Sequence, residues 1–225
     1  MSRCVDYLCS AMSIAKAYII DLDGTILDSC KEILAAKLEV LETMGIDVPD
    51  LDYLASMSGM RLEDTFVLST GIDDPAIQRE AIALYHPAFL DLTLKSLRLF
   101  PGVVETLVKL RREGAAIGIM SMRRPEDLEI IVGRAGLDRI ADAWVSEYSV
   151  PRPKPAPDMI LHLMGRFGVE ADETVVVGDT VYDLEMARDC GARAVGFTLG
   201  AQTARMLATR APHALIDNFT ALLSL

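Results

Sequence analysis

The chain lacks any long uncharged apolar run. A helix that spans a bilayer needs about 20 such residues, so no membrane span is expected. Basic residues are in deficit, with 22 against 33 acidic ones and a net charge of −11. That balance excludes general affinity for nucleic acid or an anionic lipid surface. It does not exclude a small anionic substrate, because one metal ion and one lysine can invert the local field. Cysteine is sparse: Cys4, Cys9, Cys30 and Cys190 form no CxxC pair and have no histidine cluster beside them. Disulfide frameworks and zinc knuckles are therefore not expected, and packed reduced thiols in a cytoplasmic protein are. A cleavable leader is not expected either. The segment from Met1 to Ala17 is interrupted by Arg3, Asp6 and Lys16 and merges into the first apolar run. Either Met1 or Met12 serves as the start. Aromatic residues make up only 6% of the chain, and its eleven methionines are scattered as gap-fillers for the core.

Apolar residues, by contrast, make up 51% of a 225-residue chain. That suffices for one large domain, or for a core with a smaller companion. Three short apolar runs each end in a residue able to do chemistry. Ala17-Tyr18-Ile19-Ile20 leads to Asp21, Ala116 to Met120 leads to Ser121, and Thr174 to Gly178 leads to Asp179. Buried strands that end this way build a site along one edge of a parallel sheet. From Leu99 onward, strands predicted at 116–120, 143–145, 174–177, 194–197 and 214–216 alternate with helices at 103–113, 125–135, 155–167, 182–190 and 201–208, with a last helix from Phe219. Such alternation implies parallel strands with right-handed crossovers.

Between the first strand and the rest, residues 29–96 read as almost wholly helical. Ile33, Leu34, Leu38 and Leu41 form one stripe, and Gly45 is placed to end that helix. Shorter helices follow at 52–57 and 62–69, and another runs from Pro75 through Tyr85, with Pro87 expected to bend or interrupt it. The predicted architecture is α/β: a doubly wound, mainly parallel sheet from residues 1–28 and 98–225, with a helical unit, 29–97, inserted after the first strand. Residues 28–30 and 95–99 are the expected hinge linkers.

The candidate chemistry lies in four places. Asp21-Leu22-Asp23-Gly24-Thr25 puts two carboxylates within reach of one cavity if the chain turns at Gly24, a residue that also lets the backbone approach an anion. The first can act as a nucleophile and the second as a general acid and base. Ser121 can donate to a phosphate oxygen. Lys154 sits among Pro151, Pro153, Pro155 and Pro157, which hold it in an extended segment. Gly178-Asp179-Thr180-Val181-Tyr182-Asp183 offers carboxylates four apart, oxygen ligands suited to Mg²⁺. Each has an ordinary alternative: a surface turn, a loop lysine or a helix cap.

Together, in this order, the four segments resemble the motifs of the haloacid dehalogenase-like hydrolase superfamily. The helical insert is similar to that of its phosphoglycolate phosphatase and β-phosphoglucomutase subgroup. The resemblance implies Asp21 as nucleophile and metal ligand, and Asp23 as acid/base that also offers a backbone carbonyl to the metal. It implies Asp179 as the second metal carboxylate, with Gly24, Thr25 and Asp183 in support. Ser121, the Met122 N–H and Lys154 would hold the phosphoryl group. Many relatives carry asparagine where Met122 stands here. The Arg123 and Arg124 that follow can reach an anionic substrate, though the simpler expectation is a solvated surface. In the insert, Arg61 beside Gly59 and Met60 is the candidate substrate contact. A phosphonate hydrolase would want a lysine near Arg61, and Lys31, Lys37 and Lys95 all lie far from it in sequence. The histidines, His86, His162 and His213, have no evident partners. The expected function is a Mg²⁺-dependent phosphatase for a small phosphorylated metabolite, working through an aspartyl-phosphate. A phosphomutase, or a non-catalytic binding protein on the same fold, is the alternative. The sequence leaves substrate and oligomeric state open.

Overall fold

The computed structural model describes residues 15–48 and 50–225. Cys4, Cys9 and the choice between Met1 and Met12 lie outside them. Six strands form one sheet: β1 (Ala17–Asp21), β2 (Ala116–Ser121), β3 (Ala143–Ser146), β4 (Thr174–Gly178), β5 (Arg193–Phe197) and β6 (Ala214–Ile216). Their order is β3-β2-β1-β4-β5-β6, and every pairing is parallel. The first strand therefore lies in the middle, where the order reverses, and open α/β sheets open a crevice at such a point.

Side chains alternate across the strands, so each central strand feeds two cores. Tyr18, Ile20, Val175 and Val177 face one side. There they meet Leu107 and Leu110 of α5 (Val103–Arg112), and Leu128 and Ile131 of α6 (Pro125–Arg134). Ile19 and Val176 face the other side. They pack on Ile160 and Leu163 of α7 (Asp158–Phe167), Leu184 and Met186 of α8 (Val181–Asp189), and Leu207 of α9 (Ala204–Ala208). Each fully buried aliphatic side chain contributes about 1.5–3 kcal/mol. Gly118 in mid-β2 permits a close approach, because a Cβ there would press on Leu163 and Phe167 of α7.

The insert has a core of its own. Ala36, Val40 and Leu41 of α1 (Cys30–Thr43) pack with Leu54 of α2 (Leu51–Ser56) and Phe66 of α3 (Leu62–Thr70). Ala81, Tyr85 and Phe89 of α4 (Pro75–Lys95) complete the cluster. One expectation is narrowed here and another fails at the end of the chain. Pro87 does not interrupt α4, which continues to Lys95. The buried stripe Ala81, Tyr85, Phe89, Thr93 carries the helix past the missing N–H, so packing outweighs the local penalty. The last predicted helix is a 3₁₀ turn, Phe219–Ser224, anchored by the buried Phe219 and Leu222. The linkers at the base of the insert run side by side. Leu27 bridges Leu99, and Arg98 Nε donates to Asp28 while its Nη1 donates to Glu32.

Candidate active site

The C-terminal ends of β1, β2 and β4 deliver Asp21, Ser121 and Asp179 to one cavity, and the loop after β3 adds Lys154. The cavity encloses about 850 Å³ with its mouth included. Lys154 Nζ donates to Asp21 Oδ1 at 2.5 Å and to Asp183 Oδ1 at 2.6 Å. Asp183 Oδ2 accepts from the Thr180 N–H and hydroxyl, a capping box that opens α8 and aims the other oxygen at the lysine. Thr25 donates to Asp179 Oδ1 at 2.9 Å, and the Ala201 N–H donates to Asp179 Oδ2 at 2.7 Å. Gly24, at φ +86°, touches the same carboxylate so closely that a Cβ would collide with it. Only glycine fits that turn.

Carboxylate oxygens of Asp21, Asp179 and Asp183 all lie within 4.8 Å of one another. Burial, then repulsion from Asp183, pushes the Asp179 carboxyl up to about 7. Burial also drives Asp21 well above the ordinary carboxyl range, against the pull of Lys154. The lysine itself is held above its usual value: burial opposes its charge, but Asp183 and Asp21 prevail. Three buried carboxyls around one ammonium would carry net negative charge once ionised, and they offer oxygen-only donors. That donor set fits a hard divalent cation such as Mg²⁺.

Asp23 lines the cavity but stands apart from the acidic trio. Arg123 grips its carboxylate with two 2.8 Å bonds, from Nε and Nη2, and Ser29 donates a third at 2.8 Å. This corrects the expectation of a solvated Arg123, which is buried. Its guanidinium sits 3.8 Å from the Phe89 ring centre and donates to Thr93, both on α4 of the insert. Its backbone is pinned too, since its N–H donates to Ser121 Oγ and its carbonyl accepts from Ser146. Arg124 pairs with Asp127 instead. Met122 lines the cavity.

Arg61 is not among the residues lining the cavity. Its side chain is 45% exposed and pairs with Glu63. The loop before it does reach in, through Ser58, Gly59 and Met60, and Lys37 joins them there despite its distance in sequence. His86 lines the same wall, with its Nε2 3.4 Å from the Tyr148 hydroxyl. The sequence carried a signal for Lys37 that went unread. Ile33, Lys37 and Leu41 recur every four residues, which places a charge on the buried face of α1. Arg123 had no such periodicity to betray it.

A family model described as haloacid dehalogenase-like hydrolase matches residues 18–197. The chain is 31% identical over 206 residues to a Dickeya dadantii (strain 3937) protein named "Probable phosphatase IndB", covering 90% of this chain and 89% of that one. It is 27% identical over 219 residues to "Phosphoglycolate phosphatase 1" of Pseudomonas aeruginosa, covering 95% and 80%. A hydrolase structure from Pseudomonas syringae superimposes with a TM-score of 0.83 at 24% identity, covering 93% of this chain and 96% of that one.

Proposed function

Because the chain belongs to the haloacid dehalogenase-like hydrolase family, we propose that it is a Mg²⁺-dependent phosphatase acting on a small phosphorylated metabolite. The observation that carries this reading is the convergence of Asp21, Lys154 and Asp183 at hydrogen-bond distance, with Asp179 beside them. Relatives named as phosphatases support the same chemistry. Asp21, Asp179 and the Asp23 carbonyl would hold the cation, with Asp183 supporting them. When bound, Mg²⁺ neutralises charge on the phosphoryl oxygens and on the nucleophile.

In this reading an Asp21 carboxylate oxygen attacks phosphorus, and the ester P–O bond breaks. The Asp23 carboxyl gives its proton to the leaving alcohol oxygen. Asp23, now a carboxylate, takes a proton from a water that attacks the aspartyl-phosphate. Inorganic phosphate leaves and Asp21 is regenerated. Ser121, the Met122 N–H and Lys154 hold the phosphoryl oxygens through both steps, which is most of what phosphoryl transfer requires. Arg123 and Ser29 orient Asp23. Residues 29–97 act as a cap that closes over the site and excludes bulk water.

Phosphate release from p-nitrophenyl phosphate with Mg²⁺ tests the proposal. Asp21→Asn is expected to cost at least about 10⁴-fold in kcat, the loss seen when a covalent nucleophile is removed. Unchanged turnover would defeat the assignment. Isomer formation without phosphate release, from a sugar phosphate, would make the protein a mutase.

A further inference from the structure

Two buried lysines line the cavity, and only one has partners. Lys37, on α1 of the insert, is 9% exposed and makes no hydrogen bond or ion pair among the described residues. The other cations on the wall are committed, Lys154 to Asp21 and Asp183, and Arg123 to Asp23. Burial alone pushes the Lys37 ammonium down to about 8, with no neighbouring charge compensating. A buried, unpaired ammonium is costly and is retained where a ligand supplies the counter-charge.

We propose that Lys37 is the specificity-determining residue of the cap, and that it pairs with a carboxylate on the alcohol portion of the substrate. This rests on the phosphatase reading, because the phosphoryl group is taken to occupy the Asp21 end of the cavity. A single ammonium matches a single carboxylate, whereas a second phosphate would need more positive charge than the cap wall offers. Besides the Lys37 ammonium, Glu147, whose buried Oε2 has no hydrogen-bond partner among the described residues, offers one acceptor on the wall, fewer than the several groups a polyol needs. Ser58 already donates to the Ala55 carbonyl, and Tyr148 and His86 face each other. Phe89, Met60, Leu62 and Ile33 add an apolar stretch to the wall. The substrate class is therefore a compact phosphomonoester of a hydroxy acid. Pairing its carboxylate at the cap end spends remote binding energy on orienting the ester at Asp21.

The test compares 2-phosphoglycolate with ethyl phosphate, which replaces the carboxylate by a methyl group, and with pyrophosphate, which carries a second phosphoryl group. The wild type should prefer 2-phosphoglycolate over both in kcat/KM. Lys37→Met should collapse that preference by about 10- to 100-fold, the worth of a charge-assisted hydrogen bond, and mainly through KM. The ligand-free variant should melt about 2–5 °C higher, because an unpaired buried charge is gone. Calorimetric binding of 2-phosphoglycolate and ethyl phosphate to Asp21→Asn, with and without Lys37→Met, reads the same selectivity without turnover. Phosphate release with no dependence of selectivity on Lys37 would overturn this inference and leave the phosphatase reading standing. Lys37-dependent binding without any phosphate release would do the reverse. A preference for pyrophosphate would also overturn it.

Discussion

Lys154 and Lys37 set the sheet, proposed as the catalytic core, against the helical insert, proposed as the cap. Both lysines are buried, and burial works against the charge on each. In the core, Asp21 and Asp183 more than offset that cost, and Lys154 stays charged above its usual range. In the cap nothing offsets it, and Lys37 falls to about 8. At the end of the parallel sheet Lys154, Asp21, Asp183, Asp179 and Arg123 all have protein partners, because strands from across the chain end side by side there. The helical insert leaves one cation facing the cavity alone. On the proposed reading, preorganised charge serves the bond-making step, which is common to every phosphomonoester, and an uncompensated charge serves selection, because only the right ligand relieves it.

The sharpest way to break this contrast is to remove each ammonium in turn. Lys154→Met leaves two buried carboxylates facing each other, which should cost about 3–5 kcal/mol and lower Tm by about 10 °C or more. Lys37→Met should move Tm in the opposite direction. Thermal melts of both variants, measured together, would erase the distinction if the shifts had the same sign.

Arg123 is the side chain that joins the two regions, since it holds Asp23 while resting on Phe89 and Thr93 of the insert. Lysine cannot reproduce the two-pronged grip. On the proposed role of Asp23 as acid/base, Arg123→Lys should lower kcat about 10- to 100-fold with a smaller change in KM, because a mispositioned acid/base is lost from the transition state more than from substrate binding. Steady-state kinetics would read the split, and equal changes in both constants would argue for a purely structural arginine.

The acidic trio adds a pH dependence. In protein stripped of metal by a chelator, the folded Asp179 carboxyl titrates at about 7, raised from 3.8 chiefly by burial and then by Asp183. A raised carboxyl favours the folded state below its unfolded value, and that contribution is lost as pH climbs through the folded value. The Tm of the metal-free protein should therefore fall between about pH 4 and pH 7, and added Mg²⁺ should raise it by about 5 °C more at pH 8 than at pH 5. Calorimetric scans at the two pH values would show it. The smallest effect is expected at Arg61, an exposed residue paired with Glu63 at 3.5 Å. Arg61→Ala should change stability by less than about 0.5 kcal/mol and leave substrate selectivity intact. A lost preference there would move recognition from Lys37 to the loop.

Much of the fold was legible because its signals are local. Runs such as Thr174–Gly178 are too short for helices, rich in β-branched residues and buried on both faces, so they read as central parallel strands. Asp21, Ser121 and Asp179 were legible because a strand's end is visible in the run that precedes it. The continuity of α4 past Pro87 was not, because Tyr85 and Phe89 hold the helix through contacts made by other elements. Arg123 was misread for the same reason: its partners, Asp23 and Thr93, lie 100 and 30 positions away. Lys37 was half legible, since its spacing placed it on a buried face and nothing local said what that face met.

The sequence by itself determined which residues end the strands, that the sheet is parallel with a helical insertion, and that carboxylates and a lysine are available for phosphoryl chemistry. Each of these follows from patterns a few residues long. Only the tertiary structure decided which charges are paired. It bound Lys154 to Asp21 and Asp183, closed Arg123 on Asp23, left Arg61 at the surface and turned Lys37 into the cavity. The energy of a buried charge depends on the groups packed around it, and in this chain those groups come from distant segments.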